Sequence, residues 1–134
     1  MKDAYNNLLT LSSLTPAAYT ASTNGTTVDR AGDNLFQDAL VAIPVGTVTD
    51  GTHTFEVQES DDDTTWSAVA DEHLQGTEPA VTSATDQTVY EIGYKGSKRY
   101  LRVVTTVTGS PATGGVYGAH VVLANPRVAP VVRS

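Results

Sequence analysis

The stretch Thr54–Val69, TFEVQESDDDTTWSAV, decides the fold class. Phe55, Val57 and Glu59 alternate with Glu56, Gln58 and Ser60, which is the two-residue period of a half-buried strand. Asp61-Asp62-Asp63 breaks that pattern. Adjacent carboxylates repel one another and disfavour a strand, whereas Asp tolerates turn conformations and bonds its own backbone. Thr64, Thr65 and Trp66 restart the strand. Trp66 is the single tryptophan, and its place just after the turn marks it as a core anchor. The stretch predicts a β-hairpin with an acidic tip at one edge of a sandwich or jelly roll.

Working outward, the same period recurs. Tyr90, Ile92 and Tyr94 share a face, Lys95-Gly96-Ser97-Lys98 reads as a turn, and Leu101, Val103, Thr105 and Val107 share a face after it. This predicts a second hairpin over Gln87–Val107. Tyr117, Ala119, Val121 and Leu123 define a last strand. Ala39-Leu40-Val41-Ala42-Ile43 is the most apolar run, which predicts burial on both faces or an interface, with Pro44 ending it or making it an edge. Asn24-Gly25 predicts a two-residue hairpin between YTAST and TTVDR. Asp50-Gly51 marks a turn, and Asp71–Gly76 a single helical turn closed by Gly76. The chain is expected to be all-β, an antiparallel β-sandwich or jelly-roll-like domain over residues 17–124. Residues 1–16 are expected to be a helical or extended N-terminal arm. Residues 125–134, broken by Pro126 and Pro130, are expected to be an extended C-terminal tail lying on the domain or on a neighbour.

A length of 134 residues fits one domain. A net charge of −7 lacks the basic face a nucleic-acid or anionic-membrane binder needs, so neither partner is expected. The charge is uneven: Lys95, Lys98, Arg99 and Arg102 cluster, while Glu56 to Glu72 is acidic. Such a polarised surface can steer a partner, or copies of the chain, into register. The absence of Cys removes disulfides, thiolate zinc sites and thiol catalysis, and leans toward assembly in a cytosol. The N-terminus does not read as a signal peptide, since Asp3 follows Lys2 and LLTLSSL is short and interrupted.

Motifs for chemistry are sparse. The acidic turn lacks the alternating ligands, central Gly and terminal Glu of a helical calcium loop. His53, His73 and His120 form no H-E-x-x-H pattern. There is no G-x-S-x-G elbow and no phosphate loop. A carboxylate pair for glycoside chemistry is a three-dimensional quantity, but aromatics to line a sugar cleft are few. Lys95–Arg102 with Tyr94 and Tyr100 is the one patch with nucleic-acid character, and a structural or subunit-contact role is the simpler reading. No enzyme activity, cofactor or metal is expected.

Two segments carry a family resemblance: QESDDDTTWSAV and VYEIGYKGSKRYLRVVTTVTG, with MKDAYNNL and VVLANPRVAP at the ends. They resemble small virion structural proteins of tailed bacteriophages and prophages, in particular head decoration (cement) proteins. The resemblance implies a non-enzymatic, trimeric protein assembled in the bacterial host cytoplasm and bound to the major capsid protein on the capsid exterior. It implies no catalytic residue. The expected contact groups are Tyr5, Leu8 and Leu9 in the arm, Lys95, Lys98 and Arg99 in the basic turn, and Val128, Val131 and Val132 in the tail. The rival readings are a phage tail, neck or fibre-like adsorption module, and a small carbohydrate-binding or hydrolase domain.

Overall fold

The structure is a computed structural model and describes residues 3–32 and 34–133. Among these, eleven strands run in order: β1 (Leu8–Tyr19), β2 (Thr23–Asn24), β3 (Val28–Asp29), β4 (Phe36–Val48), β5 (Thr52–Ser60), β6 (Ser67–Ala68), β7 (Leu74–Gln75), β8 (Ala80–Val81), β9 (Val89–Tyr94), β10 (Tyr100–Thr108) and β11 (Gly115–Pro126). A 3-10 turn at Asp71–His73 precedes β7. One antiparallel sheet has the order β1-β11-β4-β9-β7, and the other places β10 between β2 and β5, with β3, β6 and β8 added at its edges. The two sheets face each other as a sandwich.

Alternation builds the core. Val41, Ile43 and Ile92, then Tyr117, Ala119, Val121 and Leu123, point inward from the first sheet. Phe55, Val57, Leu101, Val103 and Thr105 meet them from the second. Each strand's opposite face is half-buried or exposed, as a two-layer packing requires.

Several local expectations fail because sequence pattern does not specify a strand's partner. The acidic hairpin forms, with Gln58 opposite Ala68 and Glu59 opposite Ser67. The second predicted hairpin does not: β9 pairs with β4 and β7, whereas β10 pairs with β5. The connector 95–99 crosses between sheets and wraps the Tyr94 side chain, whose hydroxyl accepts from the Lys98 amide at 3.1 Å. A side chain on Gly96 would collide with the Tyr94 ring, so this arch needs Gly there. The Asn24-Gly25 hairpin is also absent. β2 and β3 both pair with β10, as one interrupted edge strand. Ser13 fills the interruption: its hydroxyl accepts from the Val103 amide and donates to the Thr26 carbonyl, both at 2.9 Å.

Trp66 is not a core anchor. It is half-buried at the end of the acidic turn, with the Arg102 guanidinium 4.4 Å from its ring centre. The short β6 leaves it outside the sandwich, where a cation is a better partner than a methyl group. Pro44 neither ends β4 nor sits at an edge. Partners on β11 run from Phe36 to Ala42 and resume at Val45, and Pro44 lies within that gap, where no amide is required. Of the helical and extended alternatives for the N-terminal segment, the chain is extended from Leu8, where β1 pairs with β11 through Tyr19. Met1 and Lys2 lie outside the described residues.

The exposed edge of β5 is closed by side chains as well as backbone. The Phe55 amide donates to the Pro79 carbonyl at 3.0 Å, and the Val57 amide donates to Glu78 Oε2 at 2.6 Å. Burial pushes the Glu78 carboxyl above its ordinary range. At the far end of the sandwich, the Asp50 carboxylate accepts from the amides of Gly114 (2.5 Å) and Ala112 (2.9 Å) and so fixes the β10–β11 loop. Those amides hold it below the usual carboxylate range, the Gly114 bond first.

Two inner tyrosines make the fold sensitive to alkali. Burial, with the neighbouring Glu59, pushes Tyr94 up to about 12, and burial pushes Tyr117 up to about 12. An unfolded tyrosine ionises near 10. The folded state therefore holds both phenols protonated more tightly than the unfolded chain does, and that contribution is complete below about pH 10. It is lost as pH rises through the folded values. Urea midpoints should be level from pH 8 to about 10 and fall steadily above it. Tyrosinate absorbance of these two groups should appear together with unfolding; their ionisation in the folded protein near pH 10 would contradict the packing described.

Candidate functional site

Strand direction gathers the distinctive residues at one end. β1, β4 and β10 begin there, and β5, β9 and β11 end there. That end therefore carries both termini, the loop 30–35, the acidic turn, the connector 95–99 and the tail. All nine expected contact residues lie on it, though they are not equally free.

The basic turn and the acidic turn meet each other. Lys98 Nζ lies 2.6 Å from Asp61 Oδ2, and Arg99 holds Asp29 through Nε at 2.9 Å and a second nitrogen at 3.0 Å. Asp61 raises the Lys98 ammonium above its ordinary range, and Arg99 lowers the Asp29 carboxyl. The charge polarity legible in the sequence is thus largely consumed inside the fold. Lys95 keeps an exposed side chain. The three aspartates diverge. Asp62 accepts from the Thr64 and Thr65 amides, which hold its carboxyl low, and Asp63 accepts from the Thr27 hydroxyl at 2.6 Å. No group of three His, Cys, Asp or Glu gathers among the described residues.

The N-terminal segment and the tail meet along the start of β1. The Val131 amide donates to the Asn6 carbonyl at 3.0 Å, and Val131 is buried. Arg133 donates to the Leu8 carbonyl and places its guanidinium 4.0 Å from the Tyr5 ring centre. Leu8 and Leu9 are half-buried, and Leu9 packs on the core. Asn34 is the clamp. Its amide nitrogen donates to the Val128 carbonyl (2.7 Å) and the Pro130 carbonyl (2.9 Å), while its oxygen accepts from the Val132 amide (3.0 Å). The tail lies on its own domain, with Val128 and Val132 facing out.

Sequence reasoning missed the polar cluster beneath. Buried Arg30 donates to the Lys98 carbonyl at 2.6 Å and the Gln37 carbonyl at 2.8 Å, with its guanidinium 5.2 Å from the Tyr94 ring centre. On the other side of that cluster, the Tyr94 hydroxyl donates to buried Glu59 at 2.7 Å. One signal was present: Glu59 falls in phase with Phe55 and Val57, on the buried face. Arg30 and Asn34 sit among small polar residues and gave none. His53, far from this end, is wholly buried and bonds Tyr117 and the Asp50 carbonyl. His120 is half-buried on the outer face of the first sheet.

The sandwich defines a class, a two-sheet antiparallel β domain. Among solved structures it is similar to PBSX exported protein XepA, with a TM-score of 0.62 and 19% identity over 94% of this chain. The match spans 39% of that protein, so this chain corresponds to less than half of its length. At this identity the likeness is one of fold. No family model matches the chain, and no curated protein does.

Proposed function

We propose that the protein is a phage virion structural component that acts by non-covalent subunit contacts, as a head decoration protein, without enzymatic activity. The observation that carries this reading is the distribution of exposed apolar side chains. Among the described residues, Tyr5, Leu35, Val128 and Val132 are four of the six exposed large hydrophobics, and all four lie at this same end of the sandwich. Exposed apolar side chains gathered at one end suit a protein contact. The fold likeness to a PBSX exported protein supports a phage connection. Binding to an assembled shell and not to its separated subunits would stabilise the shell by mass action, and repetition by symmetry would multiply weak contacts. The partner would be the major capsid protein and the protomers would form a trimer on the capsid exterior.

The test is co-sedimentation of the protein with immature and expanded capsids of its own phage. Saturable binding to expanded shells at a fixed ratio is expected. Val128→Asp with Val132→Asp should abolish it and leave the melting temperature within a few degrees, because both side chains face solvent. Binding that survives the double substitution would remove this surface from the contact. The second reading is a phage tail, neck or fibre-like module, which would use the same exposed apolar end for its contacts. Absence of binding to either shell, with labelling of tails by antibody, would establish that reading instead.

A further inference from the structure

A cleft of about 370 Å³ opens at the same end, between Arg30 and Ala31, Leu35 with the start of β4, the connector 96–99 and Arg127. Its lining is unusual for a chain of net charge −7. Arg30, Arg99 and Arg127 border it, and no acidic side chain does among the described residues. Asp29 neutralises Arg99. Arg30 is only 7% exposed, its Nε has no hydrogen-bond partner, and its two bonded nitrogens meet carbonyls and no carboxylate. Arg127 offers its guanidinium at the rim, with no side-chain bond among the described residues, while its backbone is fixed by the Leu35 carbonyl at 3.1 Å. The Gly96 and Ser97 amides likewise have no partner among the described residues, although the amides on either side do, at Lys95 and Lys98.

A buried guanidinium that meets only carbonyls and the Tyr94 ring, with no carboxylate bonded to it among the described residues, gains from an anion placed beside it. Successive free amides beside arginines form a concavity suited to an oxyanion. We propose that this cleft binds a carboxylate carried on an apolar stem. Arg127, the Ser97 hydroxyl and the Gly96 and Ser97 amides meet the carboxylate, Arg30 supplies the positive field from beneath, and Leu35 and Phe36 take the stem. A carboxylate fits better than a phosphate for two reasons. One wall is apolar, and a dianion suffers about twice the repulsion from the chain's net negative charge. The carboxylate belongs either to a free small acid or to an acidic side chain or C-terminus of a polypeptide.

The test is an NMR titration of the isotopically labelled full chain with butyrate, acetate, inorganic phosphate and a tetrapeptide ending in Leu-Asp, at constant ionic strength. Each titration is run also in Asp33→Asn, which removes the one carboxylate in the sequence of residues 31–35. Butyrate should shift the Gly96 and Ser97 amides and the Arg127 Nε–H saturably, more tightly than acetate or phosphate. Arg127→Gln, which breaks no contact of the fold, should weaken butyrate at least about tenfold. Lys95→Gln, outside the cleft, should leave it unchanged. Peptide tighter than butyrate assigns a polypeptide source, and the reverse order a small acid. Non-saturating shifts, equal binding by Arg127→Gln, or phosphate tighter than butyrate would each overturn the proposal.

Discussion

Tyr117→Ala is expected to be the most damaging single substitution. The ring is 2% exposed and stacks on Tyr19 with centroids 4.8 Å apart, while Phe55 meets it edge-on at 4.8 Å. Its hydroxyl lies 2.8 Å from His53 Nδ1 and 2.9 Å from Thr105 Oγ1. The proton positions follow from the surroundings. His53 Nε2 faces the Asp50 carbonyl, which only accepts, so the tautomer with its proton on Nε2 fits the site. Nδ1 then accepts from the Tyr117 hydroxyl, and Thr105 donates to the Tyr117 oxygen. Truncation to Ala removes an aromatic side chain from the core, at a cost of about 3–5 kcal/mol. It also leaves His53 Nδ1 and the Thr105 hydroxyl without the partner that Tyr117 supplies. Against a total stability of about 5–15 kcal/mol, the melting temperature should fall by roughly 10–20 °C. Tyr117→Phe isolates the hydroxyl, and about 1–3 kcal/mol is expected from the orphaned partners alone. Calorimetry of both variants checks this. A Phe variant as stable as the parent would show that the hydroxyl network contributes nothing.

Asn34→Ala is expected to release the tail. The substitution removes two donors to the Val128 and Pro130 carbonyls and one acceptor for the Val132 amide. The Asn34 carbonyl still accepts from the Val128 amide at 3.2 Å, so one bond survives. A loss of about 1–3 kcal/mol in tail docking follows from the abandoned groups. That corresponds to about 10–100-fold more opening of the segment. Limited trypsin digestion reads this directly, because Arg127 precedes the clamped residues. Cleavage at Arg127 should accelerate by that factor while the sandwich stays intact. Asn34→Asp keeps the shape and loses both donors, so it should behave like Ala. Unchanged cleavage in either variant would show that Val131, and not Asn34, holds the tail.

Asn34 also shows how sequence reading runs out. In the sequence, Asp33-Asn34 is simple punctuation before an apolar strand. Its partners lie more than ninety residues away, so no local pattern announces the clamp. The strands themselves were legible. Phe55, Val57, Leu101, Val103, Tyr117, Val121 and Leu123 each point inward as alternation demands. The expected contact residues all lie at one end, where Val131 packs into the core and Lys98 and Arg99 pair with neighbouring aspartates.

What the sequence by itself determined is the class: an antiparallel β-sandwich, with the identity of most inward-facing residues. Alternation is a property of a single strand against a buried layer, so it is written locally. The pairing of strands, by contrast, is a property of the folded whole. The connector 95–99 arches between sheets instead of closing a hairpin, and β1 joins β11 across the length of the chain. The reason is physical. The backbone hydrogen bonds that define a sheet are the same for every partner. The choice among partners comes from non-local terms: the packing of Tyr94 under its connector, Ser13 filling the gap in an edge strand, and Lys98 reaching Asp61.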